Sequence, residues 1–140
     1  MSTPPIQRAH DFVKLANLAK TGHRLILLLV SREDCPYCHL IKEEVIHPMI
    51  LGGDFKDQIL IRELFIDAGE TVVDFRGRKR TAADFMHDYQ VSFTPTLLFL
   101  GMDGRELEKK MTGINTVEMY WYYLSESIQA AIRKLPGSDT

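Results

Sequence analysis

The chain predicts an α/β fold: a central mixed β-sheet flanked by helices on both faces. Three observations carry this. The run "LILLLV" (Leu25 to Val30) has the length and unbroken apolarity of a strand buried on both sides. Helix-period stretches stand before it, after it and at the end of the chain. Finally, "VSFTPTLLFL" and "RELEKKMTG" flank Met102-Asp103-Gly104, and Asp-Gly is a strong hairpin signal.

In chain order, "DFVKLANLAK" places Phe12, Leu15, Ala16 and Ala19 on one helical stripe, with Gly22 suited to close the helix. "RLILLLVS" is the central strand. A helix starts at Pro36, whose missing N–H costs little in a first turn. Its stripe is Cys38, Ile41 and Val45, and Pro48 is expected to end or kink it near His47. Asp57 to Asp67 reads as a second strand. "TVVDF" is a short strand leading into the exposed turn "RGRKR" (Arg76 to Arg80). Thr81 with Asp84 forms a capping signal for a short helix. After the hairpin, Asn115 with Glu118 is expected to cap a last helix with the stripe Trp121, Leu124, Ile128, Ala131, Ile132 and Leu135. Tyr120 and Tyr123 fall toward the surface on this reading.

At 140 residues one domain is expected over 1–140, with tails at 1–10 and 136–140 and an insertion at 68–88. Composition is that of a globular protein, 45% hydrophobic and 26% charged. A net charge of −2 gives no electrostatic reason to expect nucleic acid, and no apolar run is long enough to span a membrane. No repeat or low-complexity tract is present. The N-terminus shows no signal-peptide pattern. That leaves a cytoplasmic protein or one whose leader is absent from this sequence.

The chemistry concentrates in "DCPYCHL" (Asp34 to Leu40), which holds both cysteines of the chain. Two cysteines three apart cannot staple distant parts of a fold. Cys35 falls between a buried strand and a helix start, where free N–H groups and the helix dipole favour a thiolate. Cys38 lies about one turn later and on the same side, as a resolving thiol requires. The residues leave other readings open. C-x-x-C-H, with His39, is the pattern of haem c attachment. Cys35 and Cys38 with His39 and His47 would be a partial zinc set. A binding or chaperone module with an incidental dithiol is a further possibility, to which the aromatic run "MYWYY" (Met119 to Tyr123) would contribute. The buried strand before the motif favours dithiol exchange. The basic run Arg76 to Arg80 reads as a solvated turn, with an acidic partner or anionic surface as the alternative.

A second signal is Thr94-Pro95 at the head of the strand "TLLFL", where proline marks special backbone geometry. Taken with "CPYC", "LFID", "DGRE" and "TG" before the final helix, the order resembles the thioredoxin superfamily over residues 11 to 135. That resemblance implies a thioredoxin fold with a small β/α insertion before a cis-Pro strand. It further implies Cys35 as nucleophile, Cys38 as resolving thiol, and Pro36 and Tyr37 within the active-site turn. Pro95 would be cis against the dithiol, and the Thr94 backbone would receive a substrate strand. The implied protein is a monomer without a cofactor, acting on a disulfide-bearing protein and recharged by a redox protein or small thiol. "DCPYC", the helix broken as "EEVIHPMI" and the insertion "TVVDFRGRKRTAADFMHDY" resemble periplasmic SoxW-like proteins. Pro36-Tyr37 is also the glutaredoxin dipeptide, so a glutathione-linked enzyme is the alternative.

Three positions depart from thioredoxins. Asp34 replaces the usual Trp before the first cysteine, and Leu29 replaces the buried acid that takes the second thiol's proton. Glu63 stands where a lysine accompanies that acid, which makes it the candidate substitute proton acceptor. Glu33 and Asp34 oppose a Cys35 thiolate, and Arg32 offsets them.

Overall fold

The computed structural model describes residues 5–114 and 116–137. A four-stranded sheet lies at its centre in the order β2-β1-β5-β6: β1 is Leu25–Ser31, β2 Ile59–Phe65, β5 Thr96–Leu100 and β6 Glu106–Thr112. Strand β1 runs parallel to β2, from Leu25 opposite Ile59 to Ser31 opposite Phe65. It runs antiparallel to β5, with Ile26 opposite Leu100, and β5 runs antiparallel to β6 through a bulge between Leu97 and Leu100. The sheet is therefore mixed. All seven residues of β1 are buried, as the unbroken apolarity of Leu25 to Val30 requires of a central strand.

Alternate residues of β1 feed two cores. Leu25, Leu27 and Leu29 pack with Ile41, Val45, Met49, Leu124 and Ile128. These come from α2 (Pro36–Ile41), the stretch after it and α5 (Val117–Arg133). Ile26, Leu28 and Val30 pack on the opposite face with Phe12, Leu15, Ala19, Phe85 and Met86, from α1 (Phe12–Gly22) and α4 (Ala82–His87). The period of two in the strand thus sorts four helices into two layers. Hydroxyl and carboxylate caps start three of them: Asp11 accepts from Val13 and Lys14 N–H, Thr81 from Asp84 N–H and Thr116 from Met119 N–H.

Several expectations are corrected. The left-handed residue closing α1 is His23 (φ 54°), one beyond Gly22. Of the two outcomes expected at Pro48, an end is excluded: the helical run is interrupted near His47 but continues, α2 passing through a π-helical turn, Lys42–Ile46, into α3 (His47–Gly52). His47 N–H bonds the Lys42 carbonyl, and this wider turn makes room for the proline ring. The insertion contains two strands instead of one, β3 (Thr71–Val73) paired antiparallel with β4 (Lys79–Thr81). Thr116 caps α5; Asn115, the expected cap, lies outside the described residues. On α5 it is Tyr120 that is buried, while Trp121 is only partly so and Tyr122 and Tyr123 are exposed. The bulky Trp rides the edge of the stripe and the Tyr ring enters it.

Residues 6–10, read from sequence as part of a tail, lie along the free edge of β2. Ala9 N–H bonds the Glu63 carbonyl and Glu63 N–H bonds the Gln7 carbonyl, both at 2.9 Å. Ile6 and Ala9 are buried. The segment satisfies backbone groups that an edge strand would leave unpaired.

Candidate active site

The chain leaves β1 at Ser31, crosses Arg32, Glu33 and Asp34, and enters α2 with Cys35 as its N-cap. Asp67, just past β2, holds this crossing: both its carboxylate oxygens accept from Glu33 N–H, at 3.0 and 3.1 Å. Pro36 occupies the first helical position. The helix start therefore places Cys35 Sγ at the end of the α2 dipole, where it accepts from Cys38 N–H at 3.2 Å. Cys35 and Cys38 are joined as a disulfide with a Cα–Cα distance of 5.2 Å. Of the two, Cys38 is the deeper, 1% exposed against 7% for Cys35.

Thr94 and Pro95 approach the dithiol from the other side. The Thr94-Pro95 peptide bond is cis, and Thr94 Oγ1 donates to Cys35 Sγ at 3.4 Å. Arg32 Nη1 in turn donates to Thr94 Oγ1 at 3.2 Å. The loop is held at its far end by Thr96, whose hydroxyl donates to the Phe93 carbonyl at 2.6 Å, and by Gly113 N–H, which donates to the Pro95 carbonyl at 2.8 Å. Tyr37 and Phe93, adjoining the motif and the loop, are large apolar side chains left mostly exposed, at 61% and 69%.

Glu63 is no solvated strand residue. It is 4% exposed; its Oε2 accepts from Ser31 Oγ at 2.7 Å and forms an ion pair with Lys42 Nζ at 3.0 Å. Strand register sets Glu63 directly beside Leu29, the position expected to carry a buried acid in this superfamily. A buried carboxylate is thus present one strand over. Lys42 follows Cys38 by four residues along the same helical run, which ties this pair to the active-site helix. Ser31 and Lys42 escaped the sequence reading; the only available signal was the helical spacing of Lys42 from Cys38.

His39 is exposed on α2, and among the described residues no group of three or more His, Cys, Asp and Glu side chains is arranged to hold a metal ion. The basic run is a solvated turn, with Arg76, Arg78 and Lys79 exposed, and it is built on a buried carboxylate. Asp74, itself buried, accepts from Arg76 N–H and Arg78 N–H at 2.9 Å and from Arg78 Nε at 3.1 Å. Arg80 pairs with the Asp88 carboxylate. Burial pushes the Asp74 carboxyl upward, but the backbone bonds from Arg78 and Arg76 and the Arg78 charge outweigh it and hold the group below the usual carboxylate range.

Comparison with known proteins agrees with this architecture. The thioredoxin-like domain family matches residues 12–127, and the chain belongs to it. No curated protein matches the sequence significantly. Among solved structures, the chain is similar to mitochondrial thioredoxin 3 of Saccharomyces cerevisiae in its oxidised form, at 16% identity and a TM-score of 0.58, covering 89% of this chain and 93% of that one. It is also similar to Fasciola hepatica thioredoxin, at 19% identity and a TM-score of 0.59, covering 89% and 97%. A DsbH oxidoreductase gives a TM-score of 0.64 at 14% identity, covering 91% and 88%. These likenesses define a thioredoxin fold.

Proposed function

We propose that this chain reduces protein disulfides by dithiol exchange through Cys35 and Cys38. The observation that carries the reading is the seating of Cys35: an N-cap sulfur, beside the Thr94 hydroxyl, within reach of the more deeply buried Cys38. In the reduced protein the Cys35 thiolate attacks one sulfur of the substrate disulfide, and the other substrate sulfur leaves as a thiolate. Cys38 then loses its proton, with Glu63 as the proposed acceptor, and attacks Cys35 Sγ. The Cys35–Cys38 disulfide closes and the second substrate sulfur leaves and is protonated. Two electrons pass from the dithiol to the substrate, and a redox protein or small thiol restores them. Pro36 and Tyr37 shape the exposed turn. The backbone at Thr94-Pro95 offers a strand edge to the substrate, with Tyr37 and Phe93 as apolar contacts on either side. The "DCPYC" motif and the 68–88 insertion support a place among SoxW-like periplasmic reductases.

Reduction of insulin by dithiothreitol, followed as turbidity, tests this. The chain is expected to accelerate it, Cys35→Ser to abolish the acceleration, and Cys38→Ser to accumulate a mixed disulfide with insulin visible on a non-reducing gel. Undiminished acceleration by Cys35→Ser would refute the reading.

A further inference from the structure

We infer that Arg32 is a positioning residue that sets the reactivity of Cys35 by way of the Thr94 hydroxyl. The inference rests on the dithiol reading above and adds a residue and a route to it. Three groups stand in line: Arg32 Nη1, Thr94 Oγ1 at 3.2 Å, and Cys35 Sγ at 3.4 Å beyond it. A threonine hydroxyl has one proton to give and lone pairs to receive with. An unassisted hydroxyl rotates freely among acceptors. The guanidinium has donors only, so its N–H occupies the oxygen's lone pair and leaves the single O–H for the sulfur. The charge also polarises that O–H, since successive hydrogen bonds strengthen one another. A thiolate at Cys35 then receives two directed bonds, one from Cys38 N–H at 3.2 Å and one from Thr94.

The surroundings give this relay a purpose. Glu33 and Asp34 adjoin Cys35 on its own loop, and the Asp67 carboxylate is bound to that loop through Glu33 N–H. All three oppose a thiolate by like charge. Lys42 cannot balance them, because it is committed to the buried Glu63. Arg32 is partly buried, which holds its long side chain in one arrangement and limits screening by water. A guanidinium stays charged throughout the pH range in which a thiol titrates, so the relay is constant while the dithiol cycles. Hydrogen bonding of the charged form is one of the three ways a pKa is lowered, and here a single arginine would supply it at a distance.

The test is the pH dependence of alkylation of the reduced full chain by iodoacetamide, which reads the Cys35 pKa because Cys35 is the more exposed thiol. Arg32→Met is made in three backgrounds: native, Thr94→Ser and Thr94→Val. Glu33, Asp34, Asp67, Tyr37, His39, Lys42 and Cys38 are the same in all. With a hydroxyl at position 94, Arg32→Met is expected to raise the Cys35 pKa by about one unit, a tenfold shift in the thiol–thiolate equilibrium. In Thr94→Val the same change is expected to move it by less than about a third of a unit. An equal rise in Thr94→Val would mean that the charge acts directly through space, and no rise in the native background would mean that Arg32 is a bystander; either overturns the inference. Should Arg32→Met fail to fold, Arg32→Gln gives the same comparison. The outcome is independent of insulin reduction: loss of activity in native protein would refute the function, whereas an unchanged pKa in active protein would refute only the relay.

Discussion

Replacing Glu63 by leucine is expected to cost about 3 kcal/mol of stability, and replacing Lys42 as well is expected to return most of it. Glu63 is 4% exposed. One of its oxygens takes both the Ser31 hydroxyl at 2.7 Å and the Lys42 ammonium at 3.0 Å. Removing only the acid leaves a largely buried ammonium without its counter-charge and a buried hydroxyl without an acceptor. Breaking a buried pair from one side costs about 3–5 kcal/mol. The lower figure applies because the Lys42 side chain is 16% exposed and lies over the Phe65 ring, 5.5 Å from its centroid, so it retains a weak partner. Glu63→Leu with Lys42→Met removes both charges and fills similar volume, which is often neutral.

The assay is thermal unfolding of the oxidised chain at neutral pH. At 140 residues, each kcal/mol moves the midpoint by about 3–4 °C, so the single variant should melt about 10 °C lower. The double variant should melt within about 4 °C of the native protein. A single variant within about 3 °C of native would refute the burial argument, and a double variant as unstable as the single would refute the pairing.

Gly104→Ala should destabilise by about 3 kcal/mol, since φ is +88° and an added Cβ would lie 2.4 Å from Phe75 Cδ2, combining backbone strain with overpacking; a loss below about 1 kcal/mol in urea unfolding would contradict it. For Asp74, the depressed carboxyl contributes stability that is present above the unfolded value of about 3.9 and is lost as pH falls through the lower folded value. Asp74→Asn should therefore be less stable by about 1–2 kcal/mol at pH 7 and converge on the native protein in acid, read as unfolding midpoints between pH 7 and pH 2. A deficit that persists unchanged in acid would show that the charge is not what the turn uses.

The parts of this molecule that follow from local pattern were legible in its sequence. "LILLLV" could only be a strand buried on both faces, and the mixed sheet with two helical layers follows from where helix-period stretches flank it. The dithiol with Thr94-Pro95 was equally open to reading. What failed was set by local backbone geometry that residue type alone does not give. Pro48 is a helix breaker by its own chemistry, and only the π turn before it lets the helix continue. Asp74 looks like one more polar residue of a charged turn until the backbone folds back and brings Arg76 and Arg78 N–H onto it.

Glu63 shows why site residues are harder to read than the motif they serve. By position in the chain Glu63 stands where a lysine belongs and Leu29 where the acid belongs, which leaves the standard relay absent or rebuilt with Glu63 as the candidate acceptor. Strand register adds what position cannot: Leu29 and Glu63 are side by side in β1 and β2. The Glu63 carboxylate lies one strand over from Leu29, and its counter-ion is Lys42, in the π turn that continues the active-site helix. The same holds for Arg32, whose nearest sequence neighbours are two acids but whose bonded neighbour is Thr94, 62 residues away. Cys35 and Cys38, set between a buried strand and a helix start, point to dithiol chemistry. The pairs proposed to tune them, Arg32 with Thr94 and Lys42 with Glu63, come together only when β1, β2 and β5 have paired.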